Sequence, residues 1–407
     1  MDASYETGPT GGGHTTRVTR GVVMFVVVFL GLIVWWRAAQ EWQRIERVPL
    51  GDYVGPATLV GDPSPFGAGV RAVFRIDGWR YEASFYGSDA RRVLRHLQGE
   101  TVQMSARREA LSGDAMRRKQ VRHIAGRLVD VELGTEWTSG SALTRATNRL
   151  RRLVASGTAH LPSDDAALAL GLLIGDDRAQ PRAMIDAFRD SGLSHLTAVS
   201  GQNIAFVLAA SAPLLTRLGP GKRLAATWAV IAVFALITRA EPSVIRAAAM
   251  AGTTALCFTR GWNVTSRIVL VASATVLVIV DPMLLWSVGF WLSVGATAGL
   301  VFLSAPIARG LRRARLPRVL EGPLSATLAA QVGTLAPMLW VFGRVAPIGI
   351  VANLLAVPVA GAVMLVGLPV CIVAGLIGGT LGDILTVPVM LGVRWVWWVA
   401  VVGQRLS

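Results

Sequence analysis

The chain has 407 residues, of which 53% are hydrophobic and only 16% charged, and its formal net charge is +15. Because soluble domains carry roughly a quarter charged residues, this composition excludes an ordinary soluble protein and predicts a polytopic α-helical membrane protein. The basic excess fits either nucleic-acid binding or the positive-inside bias of membrane loops, and charge alone does not choose between them.

The N-terminal residues predict a tail followed by an anchor. Residues 1–20 are polar, include three consecutive glycines, and are expected to be disordered. Residues 21–36 are apolar and are flanked by Arg17, Arg20 and Arg37. This stretch resembles a signal-peptide core but lacks a small-residue cleavage site, so we expect an anchor transmembrane helix over residues 21–47.

Glycine and proline punctuate residues 48–135, which is typical of short strands joined by turns. Residues 70–76 and 79–85 alternate apolar and polar side chains on either side of Asp77-Gly78, a pattern that predicts a β-hairpin. Further strands are expected at residues 101–104 and 126–133. We therefore predict a small β-rich domain, a barrel or a sandwich, over residues 48–135.

Residues 136–192 are predicted to form a helical connector. Leucine and valine alternate with arginine at one point, as in a basic amphipathic helix that lies on a membrane surface: Arg149, Leu150, Arg151, Arg152, Leu153 and Val154. Ser163-Asp164-Asp165 is expected to cap a helix that ends at Ile174, and Pro181 is expected to start another that reaches Ser191.

Residues 193–407 are predicted to form the polytopic domain. Its apolar runs lie at about 193–216, 223–238, 244–259, 266–280, 283–305, 324–342, 347–377 and 384–403. The arginine-rich loop at 309–318 is the best candidate for the cytoplasmic side. Counting one crossing per run back from that loop puts residues 217–223 and 260–267 inside and Arg239 outside. The β-rich domain is therefore expected to be extracellular.

The first candidate site is a polar interruption at the start of this domain. It contains His195, Ser200, Gly201, Gln202 and Asn203 within an otherwise apolar stretch. Free backbone N–H groups beside Gly201 would suit an anion or the backbone of a passing polymer. The alternative is helix packing, in which small and polar residues hold neighbouring spans together.

The second candidate site lies at residues 239–246. Ser243 is expected to cap the next helix, with Pro242 at its start. Arg246 would lie one turn inside that helix, where an arginine is expensive and faces a partner or a cavity. Glu241 is the expected partner or a neighbour in a pore, and a structural ion pair near the membrane interface is the alternative.

Two later stretches complete the set. Asp281-Pro282 ends one apolar run, and Gly289 in the next is expected to permit close helix approach. Asn353 and Pro358 interrupt the 347–377 run, as a discontinuous helix would. Simple packing roles are an equal alternative for each of these residues.

The sequence carries no constellation typical of an enzyme. The five histidines are scattered, and there is no HExxH, GxSxG or Walker motif. Cys257 and Cys371 both lie in apolar runs, which leaves no metal site built on cysteine. We expect no enzymatic activity, no metal and no cofactor.

Four ordered strings carry a family resemblance: residues 191–201 (SGLSHLTAVSG), residues 242–247 (PSVIRA), Asp281-Pro282 with residues 289–293 (GFWLS), and residues 353–358 (NLLAVP). In order and spacing they resemble the ComEC/Rec2 family of competence proteins. The resemblance covers about residues 140–405, and residues 48–135 fit the family's extracellular OB-like domain more weakly. Asn203 is a departure, because many members have histidine there.

The resemblance implies a channel that passes single-stranded DNA across the cytoplasmic membrane in natural transformation. It implies that the polar break at 200–203, together with Glu241 and Arg246, lines the path. An OB-like groove suits single strands through basic and aromatic contacts. The candidates are Arg75, Trp79, Arg80, Tyr81 and Phe85, although alternating aromatic residues also fit a barrel core.

The resemblance also implies partners beyond DNA and membrane lipid. These are an external DNA receptor, a cytoplasmic helicase-type ATPase and a separate nuclease, since many members carry a C-terminal metallo-β-lactamase-like domain that is not found in these 407 residues. Two other functions stay open. One is a transporter or flippase for a small or lipid-linked anion, and the other is an inactive membrane scaffold.

Overall fold

The computed structural model describes residues 29–44, 47–111, 115–197, 201–314, 317–343 and 348–407. The predicted disordered tail, residues 21–28 of the predicted anchor and Ser200 lie outside these ranges. A helix over residues 29–44 (α1) precedes the β-rich part. Within it, the elements are β1 Gly51–Leu59, β2 Ser64–Phe66, β3 Gly69–Ile76, β4 Trp79–Tyr86, α2 Gly87–Val93, β5 Thr101–Ala110, α3 Ala115–Gln120 and β6 Ile124–Thr138.

The predicted hairpin is confirmed. Strands β3 and β4 pair antiparallel with Ile76 opposite Trp79 and Val70 opposite Phe85. Asp77 and Gly78 both have positive φ, at 50° and 82°, as a tight two-residue hairpin turn requires. The strands predicted at 101–104 and 126–133 are present but longer, because β5 and β6 continue pairing beyond the residues with clear alternation.

Five of the six strands close into a ring. The sheet order is β1-β5-β6-β4-β3-β2, and β1 also pairs with β3, which closes the ring and leaves β2 outside it. Strands β4 and β6 are parallel, whereas the other pairs are antiparallel. The largest side chains inside are Phe74 and Tyr81, both at 0% exposure. A five-stranded barrel of this size is also what an OB fold contains.

Three connector helices follow: α4 Ala142–Thr158, α5 Ser163–Ile174 and α6 Arg182–Asp190. The helix predicted to start at Pro181 is confirmed, with Pro181 as its N-cap. The predicted cap of α5 is wrong, because Pro162 is the N-cap and residues 163–165 already belong to the first helical turn. Acidic side chains there still suit the positive end of the helix dipole.

The remaining helices are α7 Ser194–Thr197, α8 Gly201–Leu215, α9 Pro220–Ile237, α10 Pro242–Thr259, α11 Ser266–Val280, α12 Val288–Arg313, α13 Arg318–Phe342, α14 Ile348–Ile377 and α15 Gly379–Leu406, with a 3₁₀ turn at Pro282–Trp286. Among the described residues, five helices are long and apolar enough to cross a membrane: α9, α12, α13, α14 and α15. The apolar helices α8 and α11 have 15 residues each, or about 22 Å at 1.5 Å per residue.

The predicted discontinuity in the 347–377 run is wrong. Helix α14 is continuous over 30 residues with Pro358 and Pro369 inside it. Prolines in a membrane helix are tolerated when neighbouring helices and local adjustments satisfy the freed carbonyl groups. Helix α14 is well placed for this, because it packs against both the connector helices and α15 in one buried core.

The predicted surface position of the basic connector helix is also wrong in part. Helix α4 lies against α14 so closely that a Cβ at Gly157 would collide with the Cys371 backbone. Arg151 is only 4% exposed, whereas Arg149 and Arg152 remain exposed. The helix therefore turns one basic side chain into the protein and two toward its surroundings.

Candidate functional site

Contacts between helices bring the predicted motifs together. Gly201 is the first residue of α8, and a Cβ placed on it would lie 2.9 Å from Cβ of Ala247 and 3.8 Å from the Ser243 carbonyl oxygen in α10. The first motif therefore packs against the second, and the lack of a side chain at Gly201 allows this approach. Asn203, two residues further, is buried, while Gln202 is exposed.

Arg246 joins the second motif to the third. Its side chain is buried, with 6% exposure, and its Nη2 donates a hydrogen bond to the Gly289 carbonyl oxygen at 3.0 Å. Its guanidinium carbon also lies 5.9 Å from the centroid of the Phe290 ring. Arg246 thus fastens α10 to the beginning of α12.

Three details of these two motifs differ from prediction. Arg246 bonds to a carbonyl of α12 rather than to Glu241, which is the extended N-cap residue of α10 and precedes the helix. Pro242 occupies the first helical turn as predicted, but Ser243 follows it and is not the cap. A Cβ at Gly289 would lie within 4 Å of Ser287 Oγ alone, at 3.8 Å, and not of another helix, so Gly289 contributes a carbonyl acceptor rather than a close helix approach.

The fourth motif lies close to the first, because Leu196 and Val357 line one cavity and the start of α14, just before the fourth motif, also contacts the first. A Cβ at Gly349 would lie 3.7 Å from both Cα of Gly192 and the Ser191 carbonyl oxygen. Asn353 follows one turn later, half-buried, and its Oδ1 is buried without a hydrogen-bond partner. His195 lies beside this contact in the short helix α7.

All four motifs therefore lie near helix N-termini that share one end of the helical domain. Gly201, Ser243 and Gly289 fall in the first turns of α8, α10 and α12, and Asn353 falls in the second turn of α14. The N-terminus of an α-helix carries a partial positive charge and unsatisfied N–H groups. This end of the domain is therefore electrostatically favourable for an anionic polymer.

Two small cavities lie among these residues. One is lined by Gln202 and Asn203 with Phe206 and Gly361, and the other by Arg246 and Ser273 with Ser293 and Thr297. Each has a volume of about 10 Å³, which is room for roughly one water molecule. Neither cavity is wide enough for a nucleic-acid strand in this conformation.

The barrel divides its predicted contact residues into two groups. Tyr81 and Phe85 are 0% and 4% exposed and belong to the barrel core; Tyr81 donates its hydroxyl proton to the Pro49 carbonyl at 2.8 Å. Their rings cannot stack on bases, so their predicted role in DNA contact is wrong. The strand alternation that suggested a groove instead points these rings inward.

Of the other three candidates, the two arginines face outward, whereas Trp79 is half-buried and packs against the barrel core. Arg75 lies directly opposite Arg80 in the hairpin, with Arg75 exposed and Arg80 half-buried. Trp79 is half-buried beneath the guanidinium of Arg44, 5.2 Å from the ring centroid. Arg75 and Arg80 therefore form a basic pair at one end of the hairpin, and the Trp79 ring lies between the barrel core and Arg44.

A buried ion cluster that the sequence did not predict joins the barrel to the helical domain. Asp62, in the connection after β1, accepts from Nε and Nη2 of Arg239 at 3.0 and 2.7 Å. Arg151 of α4 contacts Asp62 at 3.0 Å and Asp176 at 3.1 Å. Arg178 donates two hydrogen bonds of 2.7 Å to Asp176.

The cluster holds unusual backbone and a perturbed carboxylate. Arg239 and Ala240, between α9 and α10, have φ of 63° and 53°, a region that non-glycine residues rarely adopt. Burial raises the pKa of Asp176, but the hydrogen bonds and charge of Arg178 and the charge of Arg151 outweigh it, so this pKa lies below its ordinary value. Asp176 therefore stays ionised and keeps both arginines paired.

Two further contacts support the same junction. His123, just before β6, hydrogen-bonds through Nε2 to Asp281 at 3.1 Å. Asp281 also accepts from the Met283 backbone N–H at 3.0 Å and so caps the 3₁₀ turn. The Asp281-Pro282 motif thus contributes to the barrel junction rather than only ending a helix.

No described group of three or more histidine, cysteine, aspartate or glutamate side chains is arranged to hold a metal ion. The described fold is that of a multi-pass membrane protein with a small β-barrel docked on its helical domain. The Competence protein family matches residues 172–407, more than half of the chain, and the chain belongs to this family.

Two curated relatives are similar over about half of the chain. The chain is 29% identical over 213 residues to ComE operon protein 3 of Bacillus subtilis; this alignment covers 51% of this chain and 26% of that protein. The chain is also 28% identical over 228 residues to the uncharacterized protein YcaI of Escherichia coli; this alignment covers 52% of this chain and 29% of YcaI. Each alignment spans less than a third of the relative's length. No solved structure matches the chain significantly.

Proposed function

We propose that this protein takes part in competence and passes single-stranded DNA across the cytoplasmic membrane during natural transformation. The observation that carries the proposal is the meeting of four motifs, far apart in sequence, at one end of the helical domain: Gly201 with Ser243 and Ala247, Arg246 with Gly289, and Leu196 with Val357 around one cavity. Membership in the Competence protein family supports the same function.

The barrel lies outside the cell in this proposal and delivers the strand to the helix N-termini. Its junction residues Arg239 and Asp281 stand in the connections before α10 and α12, the same end as the motifs. The opposite connections are rich in basic residues, as cytoplasmic loops are: Arg217, Lys222, Arg223, Arg260, Arg309, Arg313 and Arg318. Arg75, Trp79 and Arg80 are the proposed barrel contacts for DNA.

The path must open for a strand to pass. The two cavities among the motif residues have about 10 Å³ each, so α8, α10 and α12 have to separate from one another. The sequence has no Walker motif, and the energy for this movement would come from a cytoplasmic helicase-type ATPase. An external DNA receptor and a separate nuclease complete the proposed set of partners.

Passage of labelled single-stranded DNA into sealed vesicles containing the purified chain tests the proposal. The wild-type chain should admit DNA, and Arg246→Ala should lower the initial rate by about tenfold or more, equivalent to about 1.4 kcal/mol. Arg260→Ala is the matched control, because Arg260 is exposed at the other end of the same helix, and it should stay within about twofold of wild type.

Three results would contradict the proposal. Equal DNA entry with and without the chain would remove the channel. Uptake of a small or lipid-linked anion in vesicles that admit no DNA would favour the transporter instead. Normal transformation in cells that lack the gene would leave the scaffold as the remaining hypothesis.

A further inference from the structure

The buried guanidinium of Arg246 has more donors than the surrounding protein accepts. Its Nη2 is satisfied by Gly289, but Nε and Nη1 are buried without a hydrogen-bond partner. The described residues contribute only that carbonyl and the ring face of Phe290 to it, and no carboxylate. A buried charge without a counter-ion costs several kcal/mol, so a missing acceptor is expected here.

A second unsatisfied donor faces the same space. Ser273 in α11 is 3% exposed, and its Oγ is buried without a partner. Arg246 and Ser273 line one cavity of about 10 Å³ between α10, α11 and α12. The walls around them are mainly apolar and include Met250, Leu270 and Leu277. Two residues on two helices, with three unsatisfied polar atoms between them, thus line one small cavity.

We propose that this cavity binds one small monovalent inorganic anion of the halide class, such as chloride, held by Arg246 Nε and Nη1 and by the Ser273 hydroxyl. The donors are of the right kind, because guanidinium offers only N–H groups and the serine hydroxyl can donate its proton. The volume suits one atom-sized ligand and excludes phosphate or carboxylate groups. A water molecule would fit but would leave the charge of Arg246 unbalanced.

Bound there, the anion would contact Ser273 of α11 and Arg246 of α10, which itself bonds to α12. All three helices would then be connected through Arg246. The anion would therefore stabilise the conformation in which these three helices are together. The inference stands on these contacts alone and does not depend on DNA transport.

Thermal unfolding of the purified full-length chain in detergent tests the site. Chloride is replaced stepwise by gluconate, which is too large for the cavity, at constant ionic strength. The unfolding temperature of the wild type should rise with chloride and then saturate, because a ligand that binds only the folded state stabilises it by mass action. Arg246→Gln and Ser273→Ala should abolish the chloride dependence.

Matched controls separate this site from general salt effects. Arg260→Gln and Ser304→Ala alter an exposed arginine and a half-buried helical serine, neither of which lines the cavity, and both should keep the wild-type chloride dependence. Bromide soaked into crystals of the wild-type protein should give one anomalous peak between Arg246 and Ser273. This second measurement applies even if Arg246→Gln fails to fold.

Two outcomes would overturn the proposal. The first is an unfolding temperature that is the same in chloride and gluconate, together with a bromide-free cavity; a water molecule would then occupy it. The second is full chloride dependence in Ser273→Ala with bromide bound elsewhere, which would move the anion to another site.

Discussion

Asp62 is the residue on which the junction between barrel and helices depends most directly. It accepts two hydrogen bonds from Arg239 and also contacts Arg151, and all three side chains are at most 10% exposed. Breaking a buried ion pair from one side leaves an uncompensated charge, which is far more costly than losing an exposed pair. Asp62 also pairs with a residue of unusual backbone, since Arg239 and Ala240 have positive φ angles.

We therefore expect Asp62→Asn to lower the free energy of unfolding by about 3 kcal/mol or more, measured by denaturant titration in detergent. Asp130→Asn is the control, because Asp130 pairs with Arg107 at 3.1 Å while their side chains are 75% and 54% exposed; its loss should stay below about 1 kcal/mol. Equal losses in the two variants would show that the buried cluster contributes no more than a surface pair.

The residues of this cluster illustrate what sequence reasoning could not find. Arg151 lies in a run of arginines that favours a membrane surface, and nothing local distinguishes it from Arg149 or Arg152. Its burial depends on two partners, Asp62 and Asp176, that stand far from it in the chain or in another element. Glu241 is an expected partner of Arg246 because it is near in sequence. In the structure, however, Glu241 precedes α10 as its extended N-cap, and Arg246 bonds to the Gly289 carbonyl instead.

At the scale of elements, α12 and α13 pack backbone against backbone. A Cβ added to Gly295, Gly299 or Gly333 would collide with backbone of the opposite helix. Small residues allow membrane helices to approach to backbone contact, which favours van der Waals packing. Most of the remaining surface of both helices is exposed within the chain, so this contact carries much of their association.

Gly299→Val should force α12 and α13 apart and destabilise the protein by about 1–3 kcal/mol, the usual cost of overpacking. Gly310→Val in the same helix is the control, because no atom lies within 4 Å of the corresponding Cβ position. Unfolding temperatures in detergent compare the two variants. If Gly310→Val lowered the temperature as much as Gly299→Val, helix propensity rather than the contact would explain the loss.

Elements with a strong periodic signal could be predicted, and elements that depend on distant partners could not. The apolar runs after residue 193 correspond to helices α8–α15, and the Asp77-Gly78 turn identified its hairpin. The break expected at Asn353 and Pro358 did not occur, because packing against α4 and α15 supports a continuous α14. Likewise, the sequence suggested which motifs belong to one site but not the Arg246–Gly289 bond that joins two of them.

At the scale of the whole molecule, three separate contacts fix the N-terminal elements on the helical domain. They are the Asp62–Arg239 ion pair, the hydrogen bond between His123 and Asp281, and a hydrogen bond of 2.6 Å from Arg37 of α1 to the Ile279 carbonyl. All three reach the connections before α10 and α12 or the end of α11. The barrel and the arginine-rich loop after α12 are therefore expected on opposite sides of the membrane.

Cysteine labelling of intact cells tests that arrangement. Cys257 and Cys371 are buried and can be replaced by alanine to give a background without cysteine. Ser84→Cys on the exposed face of β4 should react with a membrane-impermeant maleimide from outside. Ala314→Cys, exposed at the end of α12, should react only after the membrane is permeabilised, because arginine-rich short loops stay in the cytoplasm. Labelling of both positions in intact cells would mean that the two lie on one side, and the reverse pattern would put the barrel in the cytoplasm; either result would rule out delivery of external DNA through this barrel.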